Sequence, residues 1–276
     1  MVLEKREFFG TQQYFKRETD KRRADLRRHE RDLADIDKDD HAIRVRQLRK
    51  SVIQGLQLTV CSYSAGECLA DVDAEYLKIL DAVESLVATP TYYPFDLSDR
   101  ECYFYVIGLI ALGRLLDAPA ARIASLHDLG RSNQDDFLIS YLIDDEQPLE
   151  NLPQTLLHEE PFGALRRLIL VSDFNERMDA VFAYLEGFRA LMDEMPWAEG
   201  HLALDGRFFG YWAFELGALA KLLPVPDAFF EHQMYYPRDL VPSVPIFEPP
   251  EPLEATYGQD FEITLPEGFP GTTPPA

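Results

Sequence analysis

Between residues 65 and 192 apolar side chains recur every three or four positions. No other feature constrains the chain as much, because that spacing lines one face of a helix and is out of step with the two-residue repeat of a strand. Leu69, Val72, Tyr76, Leu80, Val83 and Val87 follow it through a predicted helix over 65–88, which Thr89-Pro90 ends, since the residue before proline is pushed out of helical geometry. A second helix is predicted over 98–116, with Ser98 as N-cap and Glu101 as its capping-box partner; it is apolar nearly all round and therefore central. Shorter helices follow over 120–129 and 134–143, then an acidic connection over 144–150. Pro161 suits the first turn of a helix that continues over 162–171, and Asp173 caps another running to about Met192, with Met178, Val181, Phe182, Leu185 and Phe188 on its inner face. Strand signals are almost absent before residue 240, so the fold class is all-α.

The ends of the chain differ from this middle. Residues 11–50 are dense in Arg, Asp and Glu and read as two solvent-rich helices joined near 38–40, with Arg22, Arg23, Arg27 and Arg28 paired to the interleaved Asp20, Asp25, Glu30 and Asp32. After Leu240, nine of the 19 prolines fall in the last 36 residues with six acidic and no basic side chains, which excludes a helix there and leaves Phe261 to Leu265 as the one strand-like run. An internal echo links the two halves of the middle. Tyr92-Tyr93-Pro94-Phe95-Asp96-Leu97 nearly repeats as Tyr235-Tyr236-Pro237-Arg238-Asp239-Leu240, and residues 102–119 align without gaps on 209–226, sharing the ending A-L-x-[RK]-L-L-x-x-P. The expected organisation is charged N-terminal helices over 1–60, two related helical halves over 61–130 and 131–240, and an acidic Pro-rich extended tail over 241–276.

Charge narrows the function. The first 50 residues carry 15 Lys/Arg against 11 Asp/Glu, a net of +4, so the other 226 hold 12 against 37, a net of −25. Such a field repels nucleic acid and anionic lipid, and it speeds encounter with a basic partner. No apolar run is long enough for a membrane span, and residues 1–10 lack a signal-peptide core, which leads to an expectation of a cytoplasmic protein. Cys61, Cys68 and Cys102 form no CxxC pair.

Signatures of catalysis are missing: there is no P-loop, GxGxxG, GxSxG or HExxH, and the six histidines lack the i, i+4 pairing of a metal site, so no cofactor or metal is expected. Glu215, in the middle of the aromatic run Tyr211-Trp212-Ala213-Phe214-Glu215, is a carboxylate whose pKa burial would raise, suited either to acid-base work or to a structural role accepting hydrogen bonds. In the YYPxDL pair, Pro237 fixes a turn, Asp239 caps or bonds its own backbone, and tyrosines such as Tyr236 pack with polar tips outward.

The run from Phe208 through Gly210, Tyr211, Trp212 and Glu215, on through Ala218, Lys221, Leu222 and Leu223 to His232 and Tyr235 to Leu240, resembles the C-terminal domain of PoNi-type immunity proteins, as does the pattern around Tyr184-Leu185 and Trp197 to His201. Cys61 to Leu116 is more weakly similar to that family's N-terminal helical domain. The resemblance implies a helical antitoxin that blocks a DNase of the restriction-endonuclease-like class, often delivered by type VI secretion. The N-terminal charged helices and the tail have no role carried over from it. An acidic surface made by Asp135, Asp136, Asp144, Asp145, Glu146, Glu150, Glu159 and Glu160 is the expected toxin-binding site, with Tyr211, Trp212, Glu215, Tyr236, Pro237 and Asp239 as fold-defining motif residues. A helical adaptor for another cellular protein is the alternative, an enzyme built on Glu215 a third, and a homodimer through apolar surface between the halves stays open.

Overall fold

The charged N-terminus builds the first helix, α1 (Gln12–Ala34), whose start is set by Thr11: its hydroxyl accepts the Tyr14 amide at 3.1 Å. The computed structural model describes residues 5–37, 39–90, 95–130, 135–198, 200, 208–223 and 225–242. Lys38, the tyrosines and proline of the first YYPxDL motif, His201 and the tail from 243 onward, with its strand-like run, lie outside the described residues. The described residues all lie within one compact unit, residues 1–244.

α2 (His41–Ser64) begins where expected, capped by Asp40, but runs well past residue 50, and the division placed at 60/61 falls inside it. The change of composition near residue 50 is a change of surroundings. Up to Lys50 the helix is half solvated, and beyond it Val52, Leu56, Leu58, Val60, Cys61 and Tyr63 are buried. Gly66, at φ 81°, takes the left-handed conformation that ends α2, so α3 (Leu69–Val87) starts four residues later than predicted. The arginines of α1 are less self-contained than expected. Arg28 pairs with Asp25 within the helix, but Arg23 crosses to Glu67 and Glu75, and Arg22 reaches Gln57. Arg23 thereby clasps α1 to the start of α3.

α4 (Arg100–Leu115) is central, as its all-round apolarity predicts, with eleven of its residues buried. Its N-cap is Asp99 instead of Ser98: the Asp99 carboxylate accepts the Cys102 amide at 2.8 Å, and Glu101 takes the Tyr105 hydroxyl rather than closing a capping box. α5 (Ala120–Ser125) passes into a 3-10 turn, Leu126–Gly130. α6 (Phe137–Ile143), α7 (Glu159–Leu170), α8 (Phe174–Asp193) and α9 (Phe214–Leu222) complete the described helices, and among the described residues there is no strand.

The repeated helix ends do equivalent work. α4 packs on α9, and the matched cations each cover the carbonyl end of a neighbouring helix. Arg114 donates to Leu142 O and Ile143 O at the end of α6, while Lys221 donates to Arg114 O and Leu115 O at the end of α4. The aligned segments differ before that point, because residues 208–213 are not helical and α9 begins only at Phe214. No helix is long and apolar enough to cross a membrane among the described residues.

Candidate partner-binding surface

The aromatic run that opens α9 is held by residues almost the whole chain away. Phe208 O accepts the Tyr14 hydroxyl at 3.0 Å, Phe209 O accepts from Ser64 Oγ at 2.8 Å, and Ser64 Oγ in turn accepts from Trp212 Nε1 at 2.9 Å. Tyr211 donates its amide to Glu7 Oε2 at 2.7 Å, and Ala213 donates to Tyr235 O at 2.9 Å. The charged N-terminal segment is therefore part of this motif's architecture. Tyr14 and Phe15 pack on Phe208, and Arg6 lies over the Tyr63 ring and pairs with Asp239. The bond from Arg6 corrects the expectation that Asp239 caps or bonds its own backbone. Tyr236 likewise points inward, its hydroxyl reaching the buried Asp227 at 3.2 Å, while Pro237 is buried.

Two carboxylates are interred on either side of this segment. Burial lifts Glu7 to about 7, against the pull of its bonds from Tyr211 and Phe9. Glu215 is 0% exposed, and burial lifts it to about 7 as well; Tyr184 donates to its Oε1, and Oε2 has no hydrogen-bond partner among the described residues. Tyr184 is the partner that sequence reading could not supply. A cavity of about 20 Å³ beside Glu215, lined also by Tyr105, Gly108 and Trp212, has room for about one water and for no substrate. Tyr211, Trp212, Glu215 and Tyr236 are thus buried together, out of reach of a protein partner.

The eight acidic positions between 135 and 160 separate into different roles. Asp136 is 2% exposed, and its carboxylate accepts from the amides of Leu138, Ile139 and Leu157 and from the Tyr103 hydroxyl. It caps α6 and ties down the loop that returns to α7, so it has no face to present to a partner, which corrects its place in the expected surface. Asp145 is half-buried and paired with Arg114, and Glu159 is paired with Arg166. Asp135, Asp144, Glu146, Glu150 and Glu160 are exposed and make no ion pair among the described residues, and three of them share the loop that Asp136 anchors. Asp136→Ala frees three amides at once, so an expected loss of about 2 kcal/mol follows, with faster amide exchange over 144–157; an unchanged melt and exchange pattern would contradict it.

α8 exposes aromatic surface that the helical pattern assigned to the interior. Met178, Val181, Leu185 and Phe188 are buried as expected, but Phe182 is 42% exposed, at the edge of the buried arc. Phe174 is 43% exposed and packs edge-to-face on Phe229, itself 52% exposed, with ring centroids 5.5 Å apart. A cleft of about 460 Å³ beside Tyr236 is lined by Lys5, Arg6, His232 and Arg238, but Arg6 and Arg238 pair with Asp239, His232 lies against Glu231, and Lys5 donates to the carbonyls of Glu7 and Phe8. Among the described residues no group of His, Cys, Asp and Glu is placed to hold a metal ion.

Comparison with known proteins bears on the segment that carries these features. Residues 134–240 match the family model described as PoNe immunity proteins (PoNi), C-terminal. Among solved structures, protein PA2201 from Pseudomonas aeruginosa is similar with a TM-score of 0.69 and 21% identity, over 87% of this chain and 90% of that one, which establishes a shared fold. No curated protein matches the chain.

Proposed function

We propose, from the match of residues 134–240 to the model of the C-terminal domain of PoNe immunity proteins, that this protein is a cytoplasmic antitoxin that binds a cognate nuclease effector and blocks it by contact, without catalysis of its own. The family match carries the reading. Charge supports it independently: a nuclease that grips phosphate needs a basic cleft, and a body of net −25 beyond residue 50 competes for such a surface with the DNA itself. A DNase delivered by type VI secretion is the partner that fits the sequence resemblance. The role assigned to Glu215 is structural, since its carboxyl is interred with Tyr184 beside a cavity too small for a substrate.

In this reading Asp144, Glu146 and Glu150 contribute long-range attraction. They are solvated and make no ion pair among the described residues, and charges of that kind tune association rate and its salt response more than they hold the complex. Reversing all three to Lys is expected to slow association with the product of the neighbouring gene by about tenfold at low salt, with little change in dissociation. Raising the ionic strength is expected to erase most of that difference. Stopped-flow or surface-plasmon measurements at two salt concentrations check both; equal association rates for the two proteins at low salt would remove the loop from the interface.

A further inference from the structure

Taking the antitoxin reading as its premise, we infer that the toxin is gripped by an aromatic knob made of Leu170, Phe174 and Phe229, and that the partner offers an apolar socket rimmed by Lys and Arg. Single exposed apolar side chains are ordinary on protein surfaces. Phe174 and Phe229 differ in packing on each other and in being fixed from beneath, with Leu170 exposed four residues before Phe174. Leu170 ends α7 at 54% exposure, Phe174 opens α8 four residues later, and Phe229 meets the Phe174 ring from a 3-10 turn.

The backbone under the knob is pinned on both sides. Asp173 caps α8 by accepting the Glu176 amide at 3.0 Å, and Arg177 reaches back to Val171 O at 2.9 Å, holding the turn between α7 and α8. The buried Asp227 fixes the other side, its carboxylate accepting the Tyr236 hydroxyl and its carbonyl accepting the amides of Phe230 and Glu231 at 2.8 and 2.6 Å. Rigid, exposed aromatic side chains on a pinned backbone lose little conformational entropy on docking, which is the character of the few residues that dominate an interface.

The occupant is selected by charge. Glu176, Asp179 and Glu186 are exposed on α8 and make no ion pair among the described residues, and Asp173 is exposed beside them. Three cations lie nearby and offset them only in part: Arg177 is turned onto Val171 O, Arg189 follows Glu186 by about one turn, and Arg167 precedes Leu170 by about one turn. Phe182 sits about 12 Å along the axis from Phe174, and Asp179 and Glu186 flank it one turn to either side on the same face. A second copy of this chain would bring the same four carboxylates against themselves across a two-fold axis, which disfavours self-association there. A basic protein surface meets no such repulsion.

The test compares the full-length wild type with Phe174→Ser, Phe229→Ser and the double variant, reading affinity for the product of the neighbouring gene by calorimetry, oligomeric state by light scattering and folding by thermal melt. The wild type is expected to bind as a monomer, each single variant to bind at least tenfold more weakly, and the double variant at least a hundredfold, with melting little changed because the rings are half exposed. Wild-type binding that the double variant retains within twofold would overturn the knob and leave the antitoxin reading standing. No binding by the wild type would overturn the antitoxin reading and the knob with it. A wild-type dimer that the double variant splits would assign the knob to self-association and overturn its role as the toxin anchor. Should a variant fail to fold, amide exchange of the wild-type complex decides: protection over 168–178 and 226–231 is expected, and its absence would overturn the inference.

Discussion

Gly210→Ala is expected to destabilise the protein by about 3 kcal/mol or more, lowering the melting temperature by roughly 10 °C. Gly210 has φ +126°, a conformation that side chains of L-residues rarely adopt, so the substitution is strained before any contact is considered. A β-carbon there also meets the Ser64 hydroxyl and comes within 2.8 Å of Trp212 Nε1 and 3.1 Å of Glu7 Oε2. Those are the groups that satisfy the buried backbone of residues 208–213. One methyl group therefore strains the turn and displaces three hydrogen-bonding side chains whose partners have no water to fall back on. Thermal and urea unfolding of the variant measure the loss; a melt within 2 °C of wild type would show that the segment relaxes freely and that its bonds to the N-terminus do little.

The second large effect concerns pH. Glu7 and Glu215 both have folded-state values raised by burial to about 7 from the ordinary 4.5, the reverse of the usual carboxylate case. A raised value means the native state binds the proton more tightly than the unfolded chain. The stability each group contributes is fully present below about pH 4.5 and is lost as pH climbs through 7. A difference of this size corresponds to about 3 kcal/mol per group across that window. The protein is accordingly expected to resist urea better at pH 5.5 than at pH 8.5. Glu215→Gln, neutral at both values, is expected to be more stable than wild type at pH 8.5 and to flatten the profile. A wild-type midpoint that rises with pH over this range, or a Glu215→Gln profile as steep as the wild type's, would contradict the account.

How much of this was legible in the sequence depended on how local the cause was. α8 could be read almost to the residue, because its periodicity and its Asp173 cap act within one or two turns, and α4 to within two residues, although Asp99 and not Ser98 caps it. The end of α2 could not, since charge gives way to apolarity at residue 50 when the helix enters the core, and composition marks environment rather than the end of an element. The likeness of 102–119 to 209–226 suggested helix throughout, yet a single glycine at positive φ and five bonds to groups elsewhere hold 208–213 out of helical geometry. Glu7 lies 204 residues from its partner Tyr211, a separation that leaves no mark in a local pattern. The acidic cluster misled at Asp136 for a similar reason. Its neighbours in sequence are solvated, and only the return of the chain at Leu157 makes it a buried anchor. The aromatic knob had one available signal, a phenylalanine directly after the cap Asp173, where a helix has not yet turned its face to the core.

The family match over residues 134–240 and the charge distribution both support the proposal that this protein acts on another protein. The measurement that tests this most directly is DNA cleavage by the product of the neighbouring gene as this protein is titrated in. Cleavage that falls linearly to nothing at one equivalent, and survives when the double variant Phe174→Ser, Phe229→Ser is added instead, is the result expected. Undiminished cleavage in the presence of a large excess of the wild-type protein would contradict the account at its centre.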